Sequence, residues 1–245
     1  MRTTWVIGKR EFAAYFGSPL AYVVTSIFLF LLGLFFFFGV FHQDVGWPFY
    51  VRKVASLDNL FNGSQLLFLF LVPAITMRLF AEERRSGTLE LLTTLPVRDI
   101  EVVLGKYFAA FAYLLVVLAL TAVYPIYVAT LGRLDWGAVA AGYVGLALVG
   151  LGYLAIGVFA SSLTQHQVVA FVVALVVALP FFFLHKVSFL FGAGVGNVLE
   201  FLAFRPHFDG IARGVLDSGH IVYFLGVSAV FIFLAHRLVG SRRWR

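Results

Sequence analysis

Long apolar runs, separated by short polar segments, make up most of the chain. A helix needs about 20 apolar residues to cross the roughly 30 Å hydrocarbon core of a bilayer, and six runs approach or exceed that length. They leave no room for a second domain. The pattern therefore predicts an all-α integral membrane protein with a single transmembrane domain over residues 1–245. The six predicted transmembrane helices cover residues 20–41, 64–80, 103–131, 136–160, 168–184 and 221–239.

Composition supports a membrane protein. Hydrophobic residues make up 62% of the chain and charged residues only 12%, whereas soluble domains are about 45 to 50% apolar. The first apolar run is too long for a signal peptide and lacks a small-residue cleavage site, so we expect it to be retained. The absence of cysteine excludes disulfides, thiolate catalysis and cysteine-ligated metals.

The distribution of Lys and Arg predicts the orientation. Of the 18 basic residues, twelve lie near the two termini or around the segment 81–99, and six lie on the other side of the predicted spans. Acidic residues divide evenly. By the positive-inside rule, both termini and segment 81–99 are cytoplasmic. Topology accounts for the net charge of +6, so we expect no nucleic-acid partner.

Residues 3–17 form an amphipathic pattern if they are helical. Arg10 and Glu11 fall on the polar side, while Ile7 breaks the pattern. Pro19 cannot continue a helix interior. These features predict a helix lying in the cytoplasmic interface, with a frayed basic leader as the alternative. The residues expected on the apolar side are Trp5, Gly8, Phe12, Tyr15 and Phe16.

The fourth predicted span is rich in small residues. Spacings of four, which let helices approach closely in lipid, predict that this span packs inside the bundle. The partner could be in the same chain or in a second copy. The pairs are Ala138 with Gly142, Ala141 with Gly145 and Gly157 with Ser161.

Segment 185–220 is expected outside the cell, yet it is strongly apolar. A free loop of that composition is unusual, and glycines together with Pro206 divide it. The pattern predicts one or two short re-entrant helices at the outer interface. The alternative is an ordinary loop collapsed on the bundle.

The chain has no recognisable catalytic machinery. It contains no G-x-x-x-x-G-K motif followed by Ser or Thr, so it should not hydrolyse ATP through a P-loop, and its six histidines lack metal-ligand spacing. The predicted spans hold almost no ionisable residues away from their ends, which argues against proton relays. Weakly polar residues remain as a possible path for an amphiphilic substrate, although such residues often serve only to join helices. They are Gln65, Thr76, Thr121, Tyr124, Ser161 and Ser162, with Tyr127 and Tyr153 as further members.

Segment 81–99 is a polar segment that lies between the second and third apolar runs. Four charged residues continue the second span, Gly87 can end that helix, and Thr88 can cap a new one before Pro96. A short leucine-rich helix at 89–95 could fill a groove in another protein or could pack at the membrane surface. The predicted coupling residues are Glu82, Glu83, Arg84, Arg85, Gly87, Thr88, Leu89, Glu90, Leu91 and Leu92.

Several segments resemble the ABC-2 type permeases, and most closely the gliding-motility-associated subfamily. The most specific is FLFLVPAITMRLFAEERRSGTLELLTTLPV at 68–97. The others are KREFAAYFGSPLAYV at 9–23, VLGKYFAAF at 103–111, SSLTQHQVVAF at 161–171 and HFDGIARGVLD at 207–217.

This resemblance implies a type V exporter fold with a connecting helix at 3–17, a coupling helix after the second span and re-entrant helices before the sixth. It also implies a bacterial inner-membrane location, a second copy or a homologous permease, and a separate ATPase subunit. An accessory periplasmic protein is possible in this class. ATP and Mg would then bind the partner, with no cofactor in this chain. Force transmission to an accessory protein without export, or a membrane scaffold, are the alternatives.

The predicted orientation can be tested by labelling. A cysteine at Ser86 should react with an impermeant thiol reagent only from the cytoplasmic side, and a cysteine at Ser218 only from outside, because the basic residues are so unevenly distributed. Labelling of the Ser86→Cys variant in intact cells would overturn the orientation.

Overall fold

A computed structural model describes residues 2–38, 56–87, 98–214 and 217–240, and every regular element in those ranges is helical. The prediction of an all-α protein with six membrane-spanning helices is confirmed, because six helical stretches are long and apolar enough to cross a membrane. In chain order the helices are α1 (Arg2–Phe16), α2 (Pro19–Phe38), α3 (Asp58–Thr76), α4 (Ala81–Arg85), α5 (Asp99–Leu120), α6 (Val123–Leu131), α7 (Trp136–Leu163), α8 (Gln167–Val187), α9 (Ala193–Leu202), α10 (Phe204–Ala212) and α11 (Ser218–Gly240), with a 3-10 turn at Ser188–Leu190.

Two transmembrane helices begin earlier than hydropathy suggests. Helix α3 begins at Asp58, six residues before the predicted start of its span, and Asn59 in its first turn is buried and donates to the Phe36 carbonyl over 3.4 Å. Helix α5 begins at Asp99, whose carboxylate lies where the helix dipole favours negative charge. Hydropathy does not locate either helix start, because the first turn of each helix is polar.

Helix α7 is the centre of the bundle. It contacts α3, α5, α8, α10 and α11. Of its most apolar 18-residue stretch 78% is buried, whereas only 17% is buried in the corresponding stretch of the span that contains α8. The prediction that the fourth span packs inside the bundle therefore holds. The described partners of its small residues lie in the same chain.

Those small residues form two faces on α7. On one face Gly142 meets the Phe61 ring and Gly157 meets Thr76, both on α3. On the other face Gly145 and Gly152 meet two buried phenylalanines of α10. Because glycine has no Cβ, the helices approach closely and gain van der Waals contacts. These contacts stabilise the bundle in lipid, where apolar burial gives no driving force for helix association.

Two short helices occupy most of the segment predicted to contain them. Helix α10 buries Phe204 and Phe208 against α7, whereas α9 leaves Phe201 62% exposed. Thus α10 is part of the bundle core, and α9 presents apolar surface outward.

The buried face of α1 agrees with the predicted apolar side only in part. Tyr15 is buried as expected, but Ile7 is buried too and the Glu11 side chain is only 15% exposed. The prediction that Glu11 lies on the exposed polar side is wrong. Trp5 is 75% exposed, and its contact with the membrane interface stays a prediction. Ile7, Glu11 and Tyr15 follow a four-residue spacing, so they form the stripe that α5 covers.

We expect substitutions at glycine to separate the two environments. In Gly157→Ala the new Cβ would collide with Thr76, whose own Cβ lies 2.9 Å away, so overpacking should cost about 1 to 3 kcal/mol. In Gly226→Ala nothing lies within 4 Å, and the gain in helix propensity should leave stability unchanged or higher. Thermal unfolding in detergent measures both. Equal midpoints for the two variants would contradict the packing assigned to α7.

Candidate functional site

The turn that joins α3 to α4 is held by a serine of α7. Ser161 Oγ accepts from the backbone N–H groups of Phe80 at 3.0 Å and Ala81 at 3.2 Å, and donates to the Met77 carbonyl at 3.0 Å. Ser161 is fully buried. It therefore satisfies the start of α4, which has no side-chain cap of its own.

Helix α4 ends as its sequence predicts. Gly87 adopts a φ of 72°, a left-handed conformation that favours glycine, and its N–H donates to the Arg84 carbonyl over 3.3 Å. The chain then enters residues 88–97. The predicted coupling residues Thr88, Leu89, Glu90, Leu91 and Leu92 lie outside the described residues, so the proposed helix at 89–95 stays a prediction.

A buried ammonium group lies directly beneath α4. Lys106 of α5 is 1% exposed, and its Nζ lies 2.8 Å from Glu83 Oε1 and 3.3 Å from Glu11 Oε1. The same Nζ lies 5.4 Å from the centre of the Phe80 ring. A buried charge is tolerated when it is paired and hydrogen-bonded. One cation thus joins α1, α4 and α5, and we call these three charged residues the lysine cluster.

Arg10 forms the outer edge of the cluster. Its Nη2 donates to Glu11 Oε1 over 2.8 Å and lies 3.6 Å from Glu83 Oε1. The Arg10 side chain is 61% exposed, so water screens these pairs and each contributes little. The buried ammonium of Lys106, rather than Arg10, fixes the geometry.

The pKa of the Glu11 carboxyl reflects two opposing effects. Burial acts to raise it, but the neighbouring Lys106 and Arg10 outweigh burial and hold the pKa below its ordinary value of 4.5. Because the folded state has the lower pKa, this interaction stabilises the protein fully above about pH 4.5 and is lost as the pH falls through the folded value.

The backbones of α1 and α5 touch where the cluster forms. A Cβ on Gly105 would lie 3.0 Å from Ile7 Cγ2, and one on Gly8 would lie 3.3 Å from the Gly105 carbonyl oxygen. About two helical turns further along both helices, the Tyr15 and Tyr113 rings stack at 4.6 Å, and Tyr15 donates to the Ile75 carbonyl over 3.2 Å. These contacts bring Glu11 within reach of Lys106, the residue next to Gly105.

The residues predicted to line a substrate path have internal partners in most cases. Thr76 donates to the Val72 carbonyl, Thr121 to the Leu118 carbonyl and Ser162 to the Phe159 carbonyl. The Tyr124 hydroxyl donates to the Leu29 carbonyl, while Gln65 is buried and its Nε2 has no hydrogen-bond partner among the described residues. Ser161 holds the α3–α4 turn. Their role as a path stays a prediction, and the contacts described here are those of helix packing.

Sequence reasoning missed the lysine cluster. Lys106 was counted only as a basic residue near a span end, and Glu11 was placed on the polar face of α1. Neither Lys106 nor Glu11 lies in a sequence pattern that predicts the pairing, because the three residues of the cluster come from separate parts of the chain. Glu83 alone was among the predicted coupling residues.

A second polar pair lies at the opposite end of the bundle. His207 Nδ1 lies 2.9 Å from His220 Nδ1, and the His207 ring stacks on Tyr223 at 3.8 Å. Burial lowers the pKa of His207, and His220 adds to that effect. The sequence separates these histidines by thirteen positions, so no spacing rule could pair them. No cluster of three or more potential metal ligands occurs in the described ranges.

Comparison with known families agrees with this architecture. Residues 54–235 match the family described as ABC-2 family transporter protein, and the match includes α3 to α10 and most of α11. No curated protein matches the chain. The gliding-motility subfamily is not distinguished by this match and stays a prediction.

The lysine cluster yields a stability prediction. Lys106→Met keeps the side-chain length but leaves two partly buried carboxylates without their ammonium, so the variant should lose about 3 kcal/mol and α1 should exchange amide hydrogens faster. Arg10→Ala should lose about 0 to 1 kcal/mol, since that side chain is exposed. Adding Glu11→Gln to Lys106→Met should recover part of the loss. Unfolding midpoints and hydrogen exchange measure these effects, and a fully stable Lys106→Met variant would show that the cluster does not hold α1.

Proposed function

Because the chain belongs to the ABC-2 transporter family, we propose that this membrane permease is the spanning subunit of a bacterial exporter. A separate ATPase subunit would supply the energy, and the permease would alternate its access for an amphiphilic substrate. The observation that supports this most directly is the attachment of α4 to three other helices immediately before residues 88–97. A segment that receives force needs a stiff connection to the bundle.

The proposed transmission follows contacts between named side chains. ATP binding would bring two ATPase subunits together and move the loop after α4. Through Glu83 and Lys106 that motion reaches α5 and α1, and through Ser161 it reaches α7. Since α7 contacts most of the other helices, the bundle would respond as a rigid body rather than by local bending.

The remaining parts of the assembly belong to the same proposal. ATP and Mg bind the ATPase subunit, and a second copy of this chain or a homologous permease completes the membrane unit. Both termini face the cytoplasm of a bacterial inner membrane. Co-purification of an ATPase separates this function from a scaffold, and substrate uptake by inverted vesicles separates export from force transmission to an accessory protein.

Substitutions in the loop after α4 test whether it couples the permease to the ATPase subunit. The double substitution Leu91→Asp and Leu92→Asp places charge in the proposed apolar contact, where an unpaired buried charge costs several kcal/mol. We expect the permease to insert and assemble normally while ATPase association, or its stimulation, is lost. ATPase activity measured with and without the permease gives the readout.

Two controls accompany the loop variant. Arg85→Ala changes an exposed cation on α4 and should weaken coupling only mildly. The permease without its partner should hydrolyse no ATP, because it has no P-loop. Normal stimulation by the double Asp variant would remove residues 89–95 from the coupling role.

A further inference from the structure

A cavity of about 330 Å³ opens beside the lysine cluster, between α1 and the α3–α4 junction. Its walls carry Arg78 and Lys106 together with Glu11, Glu82 and Glu83. Lys106 and Arg10 together balance the charges of Glu11 and Glu83. Arg78 and Glu82 are therefore the two charges of the cavity that the cluster does not use.

Arg78 and Glu82 line the same cavity without pairing to each other. They are four residues apart, and the Glu82 backbone N–H donates to the Arg78 carbonyl over 3.3 Å, but their side chains do not form the ion pair that this spacing allows. Within the part of the chain that the structure describes, neither side chain forms an ion pair. Arg78 is half-buried, and a guanidinium withdrawn from water favours a bound anion, with phosphate and carboxylate fitting its geometry best.

The cavity adjoins an apolar crevice. Tyr15 and Arg78 line both spaces, and the crevice continues along Leu20 and Val24 of α2 and Ile75 of α3. The stacking of Tyr15 on Tyr113 and its hydrogen bond to Ile75 hold this shared wall in place. The crevice lies on the first turns of a transmembrane helix, where a bilayer changes from headgroups to hydrocarbon. The crevice itself has room for only about 10 Å³, so an apolar chain can lie along its outer surface but not inside it. An occupant that suits both places has a polar group in the cavity and an apolar chain in the bilayer beside α2 and α3.

The charges of the cavity select among such amphiphiles. With Arg10, which pairs with Glu11 and Glu83, the charges at this wall balance, so the cavity offers no excess of positive charge to a ligand that is only anionic. A headgroup that carries a phosphate and also a primary ammonium complements both unused charges. Arg78 can bind the phosphate and Glu82 can accept from the ammonium.

We propose that this cavity binds a phospholipid with an aminoalkyl phosphate headgroup, taken from the leaflet on the side of α1. The phosphate lies on Arg78, the ammonium on Glu82, and the acyl chains stay in the bilayer along the crevice between α2 and α3. This site goes beyond the export function and does not depend on it. The permease alone contains every residue required.

Retention of lipid by the purified permease tests the site. The protein is reconstituted in nanodiscs with equal phosphatidylethanolamine and phosphatidylglycerol, extracted into detergent, and analysed by native mass spectrometry during stepwise delipidation. We expect phosphatidylethanolamine to be retained preferentially. Arg78→Ala should weaken its retention about tenfold or more, the equivalent of one lost charged hydrogen bond. Arg85→Ala removes an exposed arginine that does not line the cavity and should retain the lipid normally.

Glu82→Gln provides the second variant, and its exposed position makes misfolding a small concern. It should abolish the preference for phosphatidylethanolamine over phosphatidylglycerol while retaining lipid. Equal retention of both lipids by the unmodified protein would overturn the assignment of the ammonium to Glu82. Equal retention by Arg78→Ala and the unmodified protein would overturn the site itself.

A third variant distinguishes a lipid from a free phosphate ester. Ala74→Trp projects a large side chain over the outer surface of the crevice, where Ala74 is partly exposed, and leaves the charged residues in place. It should lose bound phosphatidylethanolamine yet bind soluble glycerophosphoethanolamine as the unmodified protein does. If the soluble ester binds the unmodified protein as tightly as the lipid, the crevice contributes nothing and the lipid assignment is wrong.

Discussion

The buried ammonium of Lys106 is the constraint on which the architecture around α4 depends. A cation that is 1% exposed needs its carboxylates, and they come from two helices, Glu11 on α1 and Glu83 on α4. Neither helix could shift without exposing or orphaning that charge. The contact of Gly8 with Gly105 supports the arrangement by letting the backbones of α1 and α5 touch. Charge pairing therefore fixes the relative positions of α1, α4 and α5 more than apolar burial does.

The small residues of α7 extend this constraint into the membrane. Gly142 and Gly157 meet α3, and Ser161 continues the same face where α3 ends. Between them, Gly150 meets Leu114 of α5. The spacing that permits close packing therefore ends on the residue that holds the α3–α4 turn. A displacement of α4 meets the central helix directly, without an intervening flexible segment. That continuity is a physical reason for treating α4 and α7 as one mechanical unit.

Hydropathy and residue spacing predicted the helices because each of those signals is local. Twenty consecutive apolar residues predict a span wherever they occur, and a glycine after four charged residues predicts the end of α4 through its own φ. The lysine cluster was beyond such reasoning. Glu11 resembles a surface residue until Lys106, ninety-five positions later, is placed beside it. The prediction for α1 missed Ile7 and Glu11 for the same reason, since they lie with Tyr15 in a buried stripe whose middle residue is charged.

The lysine cluster and the unused pair of Arg78 and Glu82 have different consequences, although they share one cavity. The charges of the cluster are balanced by the neighbouring Arg10, so the cluster needs no ligand in the cavity to persist and can serve as a permanent joint. Arg78 and Glu82 sit at the start and the middle of the same α3–α4 junction, with no ion-pair partner among the described residues. Any ligand that binds them more tightly in one arrangement of α4 than in another must, by linkage, shift the balance between those arrangements by the same free energy. In the proposed coupling, the junction that would receive force from the ATPase subunit would therefore also respond to a lipid bound at Arg78 and Glu82.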